Sequence, residues 1–148
     1  MPDETGGAAE KAEILHASAV AFEGKACLIL GPSGSGKSTL AFELIALGAS
    51  LVADDRVILT ATATDLVASS PGPILGMIEA RGVGLLASEP APPTPLGLVI
   101  DLSRTETERL PPERRTTLLG RSLPCLHKVA SPVFAVAIRQ YMRLGRRA

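Results

Sequence analysis

Gly31-Pro32-Ser33-Gly34-Ser35-Gly36-Lys37-Ser38 satisfies every defined position of the pattern G-x-x-x-x-G-K-[ST]. The pattern constrains the fold before it says anything about chemistry. A loop of this kind needs a buried strand to deliver it and a helix to receive it. Ala26-Cys27-Leu28-Ile29-Leu30 is a short unbroken apolar run, the mark of a strand buried on both faces. After the loop, Leu40, Ala41, Leu44 and Leu47 fall on one face of a helix over 37–47, and Gly48 is placed to end it. A strand–loop–helix unit of this kind predicts an α/β sheet.

The chemistry follows from the same residues. Glycines let the backbone turn so that successive N–H groups point inward at phosphate oxygens. The helix N-terminus adds its positive end. Lys37 is expected to reach the β- and γ-phosphates, and the Ser38 hydroxyl to be a magnesium ligand. Pro32, Ser33, Ser35 and Thr39 complete a cradle running from Gly31 through Gly34 and Gly36. The expected ligands are ATP, or another nucleoside triphosphate, and Mg2+.

Such a site needs a carboxylate near the γ-phosphate, to hold magnesium or to take a proton from an incoming hydroxyl. Two runs compete. Leu51-Val52-Ala53-Asp54-Asp55 is an apolar strand ending in two aspartates, and Leu98-Val99-Ile100-Asp101 is another ending in one. Two adjacent carboxylates at the ligand end of a sheet are costly unless a cation or proton compensates them. Magnesium beside one of the two carboxylates, with the other free to act as a base, is one arrangement that compensates. The plainer alternative is an exposed turn after a strand.

The 148 residues fit one domain, and 46% of them are apolar, enough for a core without disulfide or metal staples. Formal net charge is zero and aromatic content is 3%, so neither electrostatics nor base stacking argues for nucleic acid. No apolar run approaches the ~20 residues of a membrane span. The opening MPDETGGAAE is acidic and lacks the apolar core of a signal peptide. Cys27 and Cys125 are far apart and read as reduced thiols of a cytoplasmic protein.

Along the chain, residues 1–12 read as a disordered lead, with one domain over 13–148. Residues 13–22 read as a single strand carrying His16 and Ser18, and 51–53 and 56–61 as further strands. Residues 69–73 read as a turn, and 89–95 as a Pro-rich surface segment, poorly ordered or polyproline II. Residues 98–102 return to a strand, 106–115 form a charged loop and 118–129 are extended. A last helix is capped by Ser131 with Pro132 at its first position. It carries Phe134, Ala137, Ile138 and Tyr141 at helical spacing. Arg139, Arg143, Arg146 and Arg147 on this helix and tail read as a solvated face or a docking patch.

Taken in order, the loop, the short helix and Gly48-Ala49-Ser50-Leu51-Val52-Ala53-Asp54-Asp55-Arg56-Val57 resemble the catalytic domain of bacterial HPr kinase/phosphorylase. Met77-Ile78-Glu79-Ala80-Arg81-Gly82-Val83-Gly84 is similar to that family's I-E-x-R-G-x-G signature. His16, 21 residues before Lys37, matches its active-site histidine. The resemblance implies a P-loop domain of the HPr kinase/PEP carboxykinase-like type, a central mixed sheet with flanking helices. It implies a serine kinase acting on HPr, the phosphocarrier of the phosphotransferase system, with a reverse phosphorylase activity and a homo-oligomer that can be a hexamer. It further implies phosphate binding by residues 31–39 and magnesium held by Ser38 and Glu79, with Asp54 beside them. Asp55 becomes the base, His16 its neighbour and Arg109 the catalytic arginine.

The chain departs from the family pattern in three ways. Little precedes the first catalytic strand, as in short alpha-proteobacterial members carrying only the catalytic domain. A Pro-rich segment follows the signature. Residues 129–133 pass directly into the last helix, without the arginine-glycine loop tied to dephosphorylation. Kinase chemistry is therefore the expectation the residues support better. Two readings from other classes stand beside it: a generic P-loop ATPase or small-molecule kinase using Asp101 as its Walker B residue, and a nucleotide-sensing module without turnover.

Overall fold

The computed structural model describes residues 11–73 and 75–148. Most of the expected disordered lead lies outside the described residues, but Lys11 and Ala12 already belong to a strand. The elements in chain order are β1 (Lys11–Leu15), β2 (Ser18–Phe22), β3 (Lys25–Leu30), α1 (Lys37–Ala46), β4 (Ser50–Ala53), β5 (Val57–Ala61) and β6 (Leu66–Ser69). They continue with β7 (Met77–Ala80), β8 (Gly84–Ala87), β9 (Thr94–Thr105), β10 (Arg114–Leu118), β11 (Arg121–Lys128) and α2 (Phe134–Leu144).

The main sheet runs β1-β5-β6-β9-β3-β2-β4. It is mixed: β3 and β9 pair in parallel from Ala26↔Leu96 to Leu30↔Asp101, and β11 also pairs in parallel with β9. β2 pairs antiparallel with β3 on one side and β4 on the other. The twelve-residue β9 serves two neighbours on one edge, β6 at Thr94 and Pro95, then β11 from Val99 onward. β7 and β8 form a separate hairpin.

The apolar runs seen in the sequence are buried on both faces, and alternation sorts them. Val20, Phe22, Cys27, Ile29, Leu98 and Ile100 face Leu40, Ala41 and Leu44 of α1, Ile78 of β7 and Phe134 and Ile138 of α2. Ala19, Ala21, Ala26, Leu28 and Val99 face the opposite way, against Val57, Leu59, Leu66 and Leu123. Both helices therefore cover the same face, and side chains of β5, β6 and β11, strands of the same sheet, close over the other. The small alanines of β2 leave room for those side chains. No helix among the described residues is long and apolar enough to cross a membrane.

Several local expectations need correction. The strand expected over 13–22 is broken at His16-Ala17, because β1 leaves the central sheet to pair with β5 while β2 stays beside β3. The Pro-rich segment is not a loose surface stretch. Leu51 N–H donates to the Glu89 carbonyl and Ala91 N–H to the Leu51 carbonyl, each at 2.8 Å. Ser131 does not cap α2 directly; Val133 is its N-cap, and the Ser131 hydroxyl, two residues before it, accepts the Val133 N–H at 3.2 Å. The thiols of Cys27 and Cys125 are both free and buried. Burial pushes the Cys27 thiol up to about 12, which leaves it unreactive.

Candidate active site

The end of β3 turns into the loop at Gly31. A side chain there would meet Ser35 Oγ at 2.5 Å and Leu102 Cβ at 3.1 Å, and the backbone φ is +154°. Only glycine lets the loop lie this close to the end of β9. Ser35 N–H closes a turn on the Pro32 carbonyl at 3.0 Å, and Gly36, at φ +101°, opens α1 in the left-handed conformation. Lys37 arches back over this turn. Its ammonium donates to the carbonyls of Gly31 at 2.7 Å and Pro32 at 3.1 Å. The cation thus hangs over the loop it belongs to, where an anion would sit.

The loop forms one wall of a cleft of about 610 Å³ lined by Ser33, Gly34, Gly36, Lys37, Ser38 and Thr39. Glu79 and Arg81, from β7 and the turn after it, form the facing wall, with Ser18 and Asp55 also lining it. The β7–β8 hairpin reaches this position because Ile78, 1% exposed, is sunk against α1. Strand alternation then turns Glu79 outward.

The two aspartates after β4 separate. Asp54 turns inward, and its Oδ1 accepts the hydroxyls of Ser38 and Ser18, each at 2.8 Å. Asp55 turns outward and is exposed, with a φ of +74°. Its carbonyl accepts the Ala17 N–H at 3.2 Å. Asp55 alone lines both the phosphate-loop cleft and an adjoining hollow of about 210 Å³ formed with Arg56, Ser70, Pro71, Gly72 and Met77. His16 is exposed and directly precedes Ala17, whose N–H is bonded to the Asp55 carbonyl, but it lines neither the cleft nor the hollow.

Two sequence candidates stand apart. Asp101 ends the parallel pair with Leu30, but its neighbours Ile100 and Leu102 face the helices, so its own side chain faces away from them. Its Oδ1 accepts the Ser103 hydroxyl at 2.6 Å and the Ser103 N–H at 2.9 Å. Arg109 is exposed in the connection between β9 and β10 and does not line the cleft. That connection is pinned instead by Glu106, whose two carboxylate oxygens accept Arg114 Nε at 2.8 Å and Nη2 at 2.9 Å. The Arg114 guanidinium draws the Glu106 carboxyl down to about 2.

Ser18 is the site residue that the sequence alone did not single out. The one signal was a hydroxyl inside an otherwise apolar strand, Ser18-Ala19-Val20-Ala21-Phe22.

Residues 8–91 match the profile of the HPr Serine kinase C-terminal domain. Over 72 residues the chain is 43% identical to the HPr kinase/phosphorylase of Clostridium botulinum and 46% identical to that of Clostridium tetani. Each match spans 49% of this chain and 24% of the relative, so it covers about a quarter of the length of these curated proteins. The HPr(Ser) kinase/phosphatase from Coxiella burnetii shares the fold, with a TM-score of 0.71 over 88% of both chains at 24% identity. The matched segment contains the phosphate loop, both aspartates and the β7–β8 hairpin, and the chain belongs to the HPr serine kinase C-terminal domain family.

Proposed function

We propose that the chain is an ATP- and magnesium-dependent protein serine kinase that phosphorylates an HPr-type phosphocarrier and so regulates the phosphotransferase system. The observation that carries this reading is the contrast between the adjacent aspartates. Asp54 is committed to the Ser38 hydroxyl, while Asp55 is free and faces both the phosphate-loop cleft and the adjoining hollow. A phosphotransferase needs one carboxylate on the metal side and another at the junction of donor and acceptor.

In this reading the N–H groups of residues 31–39 hold the phosphates of ATP, and Lys37 exchanges its two carbonyl partners for phosphate oxygens. Ser38, Asp54 and Glu79 hold magnesium. These oxygen donors suit a small hard cation that keeps several of its waters, and few protein ligands are required of them. Magnesium held there would supply the positive charge that offsets the negative charge building on the phosphate oxygens. Asp55 accepts the proton of the acceptor serine as its oxygen attacks the γ-phosphorus and the bond to the ADP oxygen breaks. His16 tunes Asp55 from the neighbouring strand end. Arg109 serves the transferring group only where the connection at 106–113 or a second copy carries it to the cleft.

Residues 13–148 act as one catalytic P-loop domain in the cytoplasm, within a homo-oligomer as large as a hexamer. Leu75 and Leu85, beside and on the β7–β8 hairpin, are exposed apolar side chains that such an assembly would cover. Phosphorylase activity would use the same cleft with inorganic phosphate as acceptor: Asp55 activates the phosphate, its oxygen attacks the phosphoserine phosphorus, the bond to the serine oxygen breaks, and pyrophosphate and the free serine hydroxyl are released.

The test is incubation with magnesium ATP and an HPr-type carrier, followed by mass analysis of the carrier. A phosphate on one carrier serine, absent with Asp55→Asn, is the expected result. ATP hydrolysis without transfer would instead favour a generic ATPase, and binding without turnover a sensing module.

A further inference from the structure

Two polar residues among those described are buried, Ser18 at 0% and Thr94 at 4% exposure. Thr94 has a local use, since its hydroxyl donates to the Pro92 carbonyl at 2.7 Å and closes the bend into β9. Ser18 reaches across 36 positions of the chain to Asp54 Oδ1. The same oxygen takes the hydroxyl of Ser38. We infer that Ser18 is a positioning residue for the magnesium site: by holding Asp54 it fixes the direction in which Ser38 donates its proton. This rests on the nucleotide-and-magnesium reading of the cleft.

The argument is one of donors and lone pairs. A serine hydroxyl binds a cation through a lone pair, and its single hydrogen must point elsewhere. Asp54 is where that hydrogen goes. A carboxylate held by one hydroxyl can rotate about its terminal torsion, which is broad. A second donor on the same oxygen, delivered from a fully buried strand position, removes that freedom. Without Ser18 the carboxylate can turn, and the Ser38 hydrogen is then free to swing into the cleft toward the cation. Lys37 and the loop N–H groups do not depend on Asp54, so phosphate binding without metal is left as it was. A serine that merely satisfies its own hydroxyl in the core would instead affect stability and leave magnesium dependence alone.

The experiment uses the full chain carrying Ser18→Ala, Ser18→Cys or Ser18→Thr. ATP binding is measured by calorimetry with and without magnesium, and melting of the nucleotide-free protein is recorded. Ala and Cys are expected to weaken the magnesium-dependent part of binding about tenfold, the lower end of what losing an outer-shell partner costs a metal site. Magnesium-free binding should be unchanged and Thr should restore the wild-type value. Cys keeps the volume with a poor donor, so it decides the matter should Ala fail to fold. Wild-type magnesium dependence in Ala or Cys overturns the assignment of Ser18 alone. A wild-type chain that binds no nucleotide overturns the reading of the cleft and the Ser18 assignment with it.

Discussion

Arg139 Nε donates to the backbone carbonyl of Leu47 at 2.9 Å, so the last helix caps the first. Leu47 is the C-cap of α1, and α1 has no basic residue in its own last turn. The half-buried guanidinium supplies the positive charge that the helix C-terminus favours. The arginines at the end of the chain thus divide, rather than forming one patch. Arg143 lies 3.6 Å from Glu23, and Arg146 donates to the Pro111 carbonyl. Arg139→Ala is expected to cost about 1 kcal/mol. In a chain of this size that corresponds to roughly 3 °C in melting temperature. Arg139→Lys should recover part of it. A denaturation series on the three proteins reads the effect, and an unchanged Ala variant would show that this cap contributes nothing.

Asp55→Asn should remove phosphoryl transfer, by ~10²–10⁴-fold as for loss of a general base, and keep ATP binding. Asparagine tolerates the left-handed backbone that Asp55 adopts at φ +74°, so the variant is expected to fold normally. Asp101→Asn should do little, since Asp101 faces away from the helices and is held by Ser103. Transfer assays on both variants decide between the two carboxylates. An active Asp55 variant beside a dead Asp101 variant would turn the assignment around.

Magnesium ATP at ~100 times its dissociation constant should stabilise the fold by about 2.7 kcal/mol. Lys37→Ala should lose most of that shift. The variant frees the carbonyls of Gly31 and Pro32, residues that are half-buried and exposed and so can meet water, and the nucleotide-free protein should melt close to wild type. Thermal melts with and without ligand give both numbers. A wild-type melting curve indifferent to nucleotide would remove the phosphate-loop reading.

Glu106 titrates well below its ordinary value of 4.5, at about 2, because Arg114 holds its ionised form. A carboxyl lowered on folding contributes stability that is fully present above the unfolded value and is lost as pH falls toward the folded one. Stability should therefore decline between about pH 4.5 and pH 2 with a component that Glu106→Gln abolishes. Urea midpoints across that window, wild type against variant, measure it. Parallel curves would mean that the pair does not contribute to stability.

The phosphate loop was legible because its determinants are local: glycines, a lysine, and apolar runs of the right length on either side. The end of α1 and the turn at 69–73 were legible for the same reason. What escaped was set by distant partners. Nothing near Glu89 announces that it meets Leu51, so a Pro-rich stretch read as loose surface. Nothing near His16 announces that β1 pairs with β5 and that the strand must break there. Ser18 gave a weak signal, because a hydroxyl in a strand has meaning only once Asp54 is known to lie opposite. The β7–β8 hairpin carries its chemistry in Glu79 and Arg81, but its two strands, four residues each, are too short to declare a period.

The Pro-rich segment bears on which edge of the sheet is left open to other chains. β4 ends the main sheet, and an edge strand offers unpaired N–H and C=O groups to any passing chain. Here the residues from Glu89 to Ala91 take both backbone groups of Leu51 from outside. Pro90, Pro92 and Pro93, lacking N–H groups, leave the new border unable to template a further strand. A segment that looks like spacer is thus a guard against fibrous aggregation, and a variant in which these prolines become β-formers would acquire a sticky edge while its cleft stayed intact.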